Sequence, residues 1–167
     1  MAEQFSMTGP GPMIVAASED GSDVAGIAAL LIRFSDAVDQ RRPADIAELF
    51  SLEGVFRPGE KSIRGRSAIQ AFYTARQSDE RRRTRHVWSN LFVRTVGPKQ
   101  AQLEVVLTNY AFEPAVSEIS LQMRIGNVVC RCESDDAGTW RFAEHLYQRI
   151  FATSLPLAGG TAQAPRS

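Results

Sequence analysis

Histidine and cysteine are scarce, with two of each in 167 residues. Two thiols cannot build a disulfide framework, and two thiols with two imidazoles make a poor zinc set, so no metal site is expected. Neither sign of charge is in excess: nineteen Lys and Arg cancel nineteen Asp and Glu. A dedicated nucleic-acid binder would carry a basic surplus. No apolar run approaches the ~20 residues a membrane-spanning helix needs. No basic segment precedes the short apolar stretch at residues 13–17, so no signal peptide is expected and the cytoplasm is the default compartment. The chain also lacks a phosphate loop, a dinucleotide fingerprint, a nucleophile elbow and a metal-binding helix motif, so no cofactor is expected.

What is present is an ordinary globular composition, 44% hydrophobic and 23% charged, in one domain's length of chain. Residues 1–22 and 153–167 are rich in small and turn-forming residues without a period and read as disordered tails, leaving a folded unit over 23–152. Ile27, Leu30, Leu31, Phe34 and Val38 form an amphipathic helical stripe. Pro43 suits the first turn of a second short helix with Ile46, Leu49 and Phe50 on one face. A strand is expected around 54–57. Ser67 and Gln70 fit a capping box opening a third helix whose buried side carries Ile69, Phe72 and Tyr73.

After Arg83 the hydrophobic period changes from 3.6 to 2. Four long strands follow, over 84–96, 100–112, 119–134 and 139–151, joined by turns at 96–99 and 135–138. Helices followed by antiparallel strands make an α+β fold. Strands this long must curve around the helices, so three N-terminal helices packed in a curved antiparallel sheet form a cone with an internal cavity. Gly126 is a candidate bulge.

Few residues can carry chemistry. Alternation puts His86 on one strand face with Thr84, Trp88, Asn90 and Phe92, a mixture that suits a pocket wall. A half-buried structural histidine is the plainer reading, and spacing alone favours it. Asp39 lies about 100° from the centre of the helix stripe, able to reach a cavity edge, whereas Asp36 points to solvent. A carboxylate at a helix C-terminus is unfavourable by the dipole rule, which marks Asp39 as a functional candidate. The alternative is an ion pair with Arg41 or Arg42. His145 shares a face with Arg141, Ala143, Tyr147 and Arg149, while Trp140, Phe142, Leu146 and Ile150 form the more apolar face; this count turns His145 outward. Residues 77–85 are a charge run that suits a solvated helix end, with an anion site as the less ordinary alternative. Cys130 and Cys132 share a face and suit small packing roles.

The segments AVDQRRPADIAELF, VF, GRSAIQAFY, TRHVWSN and GTWRFAEHLYQRI follow one another in an order that resembles SnoaL-like proteins of the nuclear transport factor 2-like superfamily. The resemblance spans about residues 26–151 and implies the same α+β cone. The pattern is most similar to members with an Asp–His dyad, such as scytalone dehydratase, bile acid 7α-dehydratase and hexachlorocyclohexane dehydrochlorinase. It places the dyad at Asp39 and His86, and it puts His145 where the dehydrochlorinase has an inward arginine. It therefore turns His145 inward, against the hydrophobicity count. The tyrosines of the dehydratases fall at Val38 and Phe56, leaving Tyr110 and Tyr73 as substitutes.

The resemblance thus implies a lyase or isomerase without a cofactor, acting on a small, mostly apolar molecule. Asp39 and His86 would be catalytic, with His145, Tyr110, Asn90, Trp88, Tyr73 and Phe56 around the substrate. The alternative is a non-catalytic cone for ligand binding or subunit assembly, like the small β subunit of ring-hydroxylating dioxygenases. Under both readings a dimer or trimer is expected.

Overall fold

The computed structural model describes residues 16–17, 21–114, 117 and 120–157. In chain order they form β1 (Ala16–Ala17), α1 (Gly21–Asp39), α2 (Pro43–Glu48), β2 (Phe50–Pro58), β3 (Ile63–Arg64), α3 (Arg66–Arg76), β4 (Arg83–Gly97), β5 (Gln100–Phe112), β6 (Ser120–Ser134) and β7 (Trp140–Pro156). One sheet of order β1-β4-β5-β6-β7-β2-β3 holds all the strands. The four long strands pair antiparallel as the period predicted, while β2 on β7 and β1 on β4 run parallel.

The helical stripe does what its spacing demands: Ile27, Leu30, Leu31, Phe34 and Val38 are all buried. They meet the inward faces of β5 (Leu103, Val105, Leu107) and β7 (Trp140, Phe142) and the start of β2 at Phe50. Cys130 and Cys132 are free, buried packing residues of the same core. Burial raises both thiols, Cys132 to about 12, so neither is a nucleophile at ordinary pH.

Several local expectations are corrected. The capping box at Ser67 and Gln70 does not form. Gly65, at φ 83°, is the N-cap of α3 and no side chain caps the helix; the positive φ that the turn from β3 requires selects glycine over serine there. The folded unit is longer than 23–152. Within the expected N-terminal tail, β1 adds to the sheet edge and α1 begins at Gly21. At the other end β7 continues to Pro156, because β6 runs on to Ser120 and its backbone groups find their partners there. The remainder of both tails lies outside the described residues.

The long strands curve through bulges, and Gly126 is at one of them. There β7 carries an extra residue, Ile150, between the pairs Gly126–Arg149 and Ile125–Phe151. A Cβ at Gly126 would lie 2.4 Å from the Gln148 carbonyl oxygen and 2.6 Å from Tyr147 Cε2. Neither the strand backbone nor a tyrosine ring can yield cheaply. Gly126→Val is therefore expected to cost about 1–3 kcal/mol, read as a lower melting temperature. Gly97→Ala meets only Gln100 Oε1 at 3.8 Å; it is expected to stay within about 0.5 kcal/mol of the parent.

Candidate active site

Asp39 is the last residue of α1, and the turn after it fixes where its carboxylate points. Arg41 adopts φ 61° and donates to the carbonyls of Glu80, at 2.7 Å, and Gln77. Arg42 pairs with Asp36 and Asp45. Neither arginine takes Asp39, so the alternative ion pair is excluded, and Asp36 is half in solvent as its helix angle predicted.

The Asp39 carboxylate faces β4 instead. It accepts Thr84 Oγ1–H at 2.8 Å, the His86 backbone N–H at 3.0 Å and His86 Nδ1–H at 2.7 Å. Burial pulls the Asp39 pKa upward, but the hydrogen bond and charge of His86, its backbone amide and Thr84 outweigh it and hold the carboxyl below its ordinary range. Asp39 is thus an acceptor only. It fixes the His86 tautomer with the proton on Nδ1 and leaves Nε2 as the accepting nitrogen. Asn109 Nδ2 lies 3.3 Å from Nε2 and donates to it, consistent with that tautomer. Trp88 stacks on the His86 ring at 6.3 Å, and its Nε1–H donates to Ser35 Oγ. It supports His86 from the side and does not line the cavity.

The cavity beside His86 has a volume of about 640 Å³, within the usual range for small-molecule sites. Phe34, Phe56, Phe72, Tyr73 and Leu107 supply its apolar wall. Phe56 and Tyr73, both expected around the substrate, are on the cavity wall. Burial raises the Tyr73 hydroxyl well above its usual range, so it keeps its proton.

His145 also lines the cavity and is 2% exposed. Its ring sits among Phe34 at 4.8 Å, Phe142 at 5.3 Å, Phe56 at 5.4 Å and Phe50 at 6.4 Å. The hydrophobicity count that turned it outward fails for a definite reason. Cys132 pairs with Phe142 and Arg131 with Glu144, so Ala143 is an extra residue in β7. This bulge reverses the alternation: Trp140 and Phe142 point inward before it, His145 and Tyr147 after it. Leu146 and Ile150 are left on the outer side, Ile150 58% exposed. Burial pushes the His145 pKa down to about 3, so the ring is neutral at ordinary pH. Neither ring nitrogen has a hydrogen-bond partner among the described residues.

Like Trp88, two more of the expected substrate contacts lie off the cavity. The pairs Ser89–Val106 and Phe92–Glu104 leave an extra residue in β4, and Asn90 sits in that bulge at φ 55°, exposed. The inward face passes to Leu91 and Val93, and Phe92 turns out. Tyr110 belongs to the outer face of β5, which alternates without interruption. Asn109 and Tyr147 take their places on the cavity wall. Asn109 was findable: it is the polar residue on the inward face of β5 that otherwise carries Ala101, Leu103, Val105, Leu107 and Ala111. Tyr147 could have been found only together with the bulge at Ala143. Its hydroxyl is raised by burial and lacks a partner among the described residues.

The charge run is not wholly solvated. Arg82 turns inward, with its side chain 11% exposed, and donates to Glu113 at 3.0 Å. Arg76 and Arg124 reach the same carboxylate at 3.0 and 2.6 Å. Burial raises the Glu113 pKa, but Arg124 above all, with Arg76 and Arg82, holds it below its ordinary range. All three arginines line the cavity. No group of three or more His, Cys, Asp or Glu among the described residues could hold a metal ion, and no described helix is long and apolar enough to cross a membrane.

Solved structures with this fold include a candidate scytalone dehydratase from Novosphingobium aromaticivorans. It has a TM-score of 0.70 and 18% identity, with 85% of this chain and 95% of that one covered. A type 2 hexachlorocyclohexane dehydrochlorinase gives a TM-score of 0.70 at 18% identity, covering 86% and 95%. A protein of unknown function from Mycobacterium tuberculosis gives 0.67 at 22% identity, covering 76% of each chain. At these identities the likeness establishes the fold alone. Against curated proteins the chain finds no match. The SnoaL-like domain family matches residues 19–145, which span α1 to the inward histidine of β7. With its α+β cone and that match over most of its length, the chain belongs to the SnoaL-like domain family of the nuclear transport factor 2-like superfamily.

Proposed function

We propose that the protein is a lyase or isomerase, working without a cofactor, that abstracts a proton from carbon in a small, largely apolar molecule. The observation that carries this reading is the 2.7 Å contact of Asp39 with His86 Nδ1, with His86 on the cavity wall. His86 Nε2 takes the proton, and Asp39 stabilises the imidazolium that results. The C–H electron pair becomes the new double bond and expels a leaving group on the neighbouring carbon, as halide, or as water when the departing hydroxyl takes the proton back from the His86 imidazolium. In an isomerisation the same proton returns to a different carbon. The apolar wall lowers the local dielectric and strengthens each of these interactions. Neutral His145, without a protein partner among the described residues, is placed to donate to an oxygen that gains negative charge.

A non-catalytic cone is the second reading. Ile150 and Phe151, exposed on β7, give it a surface for subunit assembly. One experiment separates the two. β-Hydroxy carbonyl compounds, halogenated rings and steroid-like ketones are incubated with the protein in heavy water and followed by NMR. Saturable loss of the leaving group, or deuterium entry at carbon, is expected for at least one class. Ligand binding without exchange or elimination in any class would refute proton abstraction and favour the non-catalytic cone.

A further inference from the structure

The cavity has a second chemical character that the proton-abstraction reading does not use. Arg76, Arg82 and Arg124, from α3, the loop after it and β6, converge on one carboxylate, Glu113. One negative charge therefore answers three guanidinium groups that all line the cavity. Over the whole chain the charges balance, so this surplus is local. Arg149 and Lys61 line the cavity too, against Glu60.

Arg124 is the informative member. Its Nη2 donates to Glu113 at 2.6 Å, while its Nη1 is buried and has no partner among the described residues. A buried, unpaired guanidinium N–H costs free energy that an anionic acceptor would recover. The Tyr147 hydroxyl is likewise buried, unpartnered and on the same cavity.

We propose that the substrate carries a carboxylate, which binds to Arg124 Nη1 and the Tyr147 hydroxyl within the Arg76–Arg82–Arg124 cluster, with its apolar body against the Phe34, Phe56 and Phe72 wall. Two unfilled donors match the two oxygens of a carboxylate, whereas a phosphate monoester would bring three. The carboxylate gives orientation, holding the remainder of the molecule in the compartment His86 faces. This inference names the substrate class for the proton-abstraction site and rests on that reading of the cavity, but its test reads binding alone.

The test is calorimetric titration of the protein with a naphthoate, the matching neutral naphthamide and the naphthyl phosphate. The naphthoate is expected to bind about tenfold or more tighter than the amide, with a preference that weakens as salt rises. Arg124→Gln is expected to abolish the preference. His86→Ala is expected to keep it, so that loss of catalysis and loss of the carboxylate site are read separately. Should Arg124→Gln fail to fold, Arg124→Lys retains a cation for Glu113, removes Nη1 and is expected to lose the preference likewise. Equal binding of naphthoate and naphthamide, no saturable binding of the naphthoate, or a preference that survives in the Arg124 variant would each overturn the proposal. Tighter binding of the phosphate would replace the carboxylate with a phosphate monoester.

Discussion

Replacing His86 with alanine is expected to lower the rate on any substrate found by the heavy-water screen by a factor of about 10²–10⁴, the usual contribution of a positioned base. The fold is expected to survive, because His86 is a half-buried residue at the cavity wall and not a member of the core cluster. Asp39→Asn is expected to cost nearly as much, for a geometric reason. Asp39 accepts from three donors at once: the Thr84 hydroxyl, the His86 backbone amide and His86 Nδ1–H. An amide has one accepting oxygen. If that oxygen faces the His86 backbone N–H, its NH₂ meets Nδ1 and drives the ring proton to Nε2, where the base is lost. If it faces Nδ1, the NH₂ opposes the backbone N–H. Steady-state kinetics with circular dichroism on both variants decides the matter. An Asp39→Asn enzyme of nearly full activity would remove the tautomer argument.

Acid is expected to destabilise the protein well before its carboxylates are protonated. His145 is buried, and its pKa is pushed down to about 3, against an ordinary value of about 6.5. Between those values the unfolded chain binds a proton at this residue that the native state refuses. Its contribution is therefore complete above about pH 6.5 and is lost as pH falls toward 3. At about 1.4 kcal/mol per pH unit, the loss is on the order of 2–3 kcal/mol by pH 4.5. Asp39 and Glu113 have lowered folded values, so their contributions hold above the ordinary carboxylate range of about 4 and are lost only below it. His145→Phe keeps a ring among the phenylalanines and removes two nitrogens that have no partner among the described residues. This variant is expected to match or exceed the parent in stability at neutral pH and to lose most of the decline between pH 6.5 and 4.5. A decline of the same slope in both proteins, followed by thermal melting, would show that another group is responsible.

The elements that were legible in the amino-acid order have strong local causes. The α1 stripe, Pro43 opening α2, and the period of 2 after Arg83 each commit a segment whatever its neighbours do. Asp39 was legible because a helix angle is a rigid quantity over a few residues. The last strand was not, because strand alternation is a count that one extra residue reverses. The bulges at Ala143 and at Asn90 each did so. The first brought His145 and Tyr147 inward, and the second put Asn90 outside.

By itself the sequence determined a helical half, a curved antiparallel half and a carboxylate on the flank of α1, because periodicity and helix geometry are local. Only the tertiary structure decided which residues share the cavity. Bulges are set by the closure of long strands around α1, a demand of the whole sheet. The meeting of Arg76, Arg82 and Arg124 on Glu113 likewise joins segments of chain up to about fifty residues apart. No local pattern encodes that encounter, because its energy depends on burial and charge that exist only once the sheet has closed.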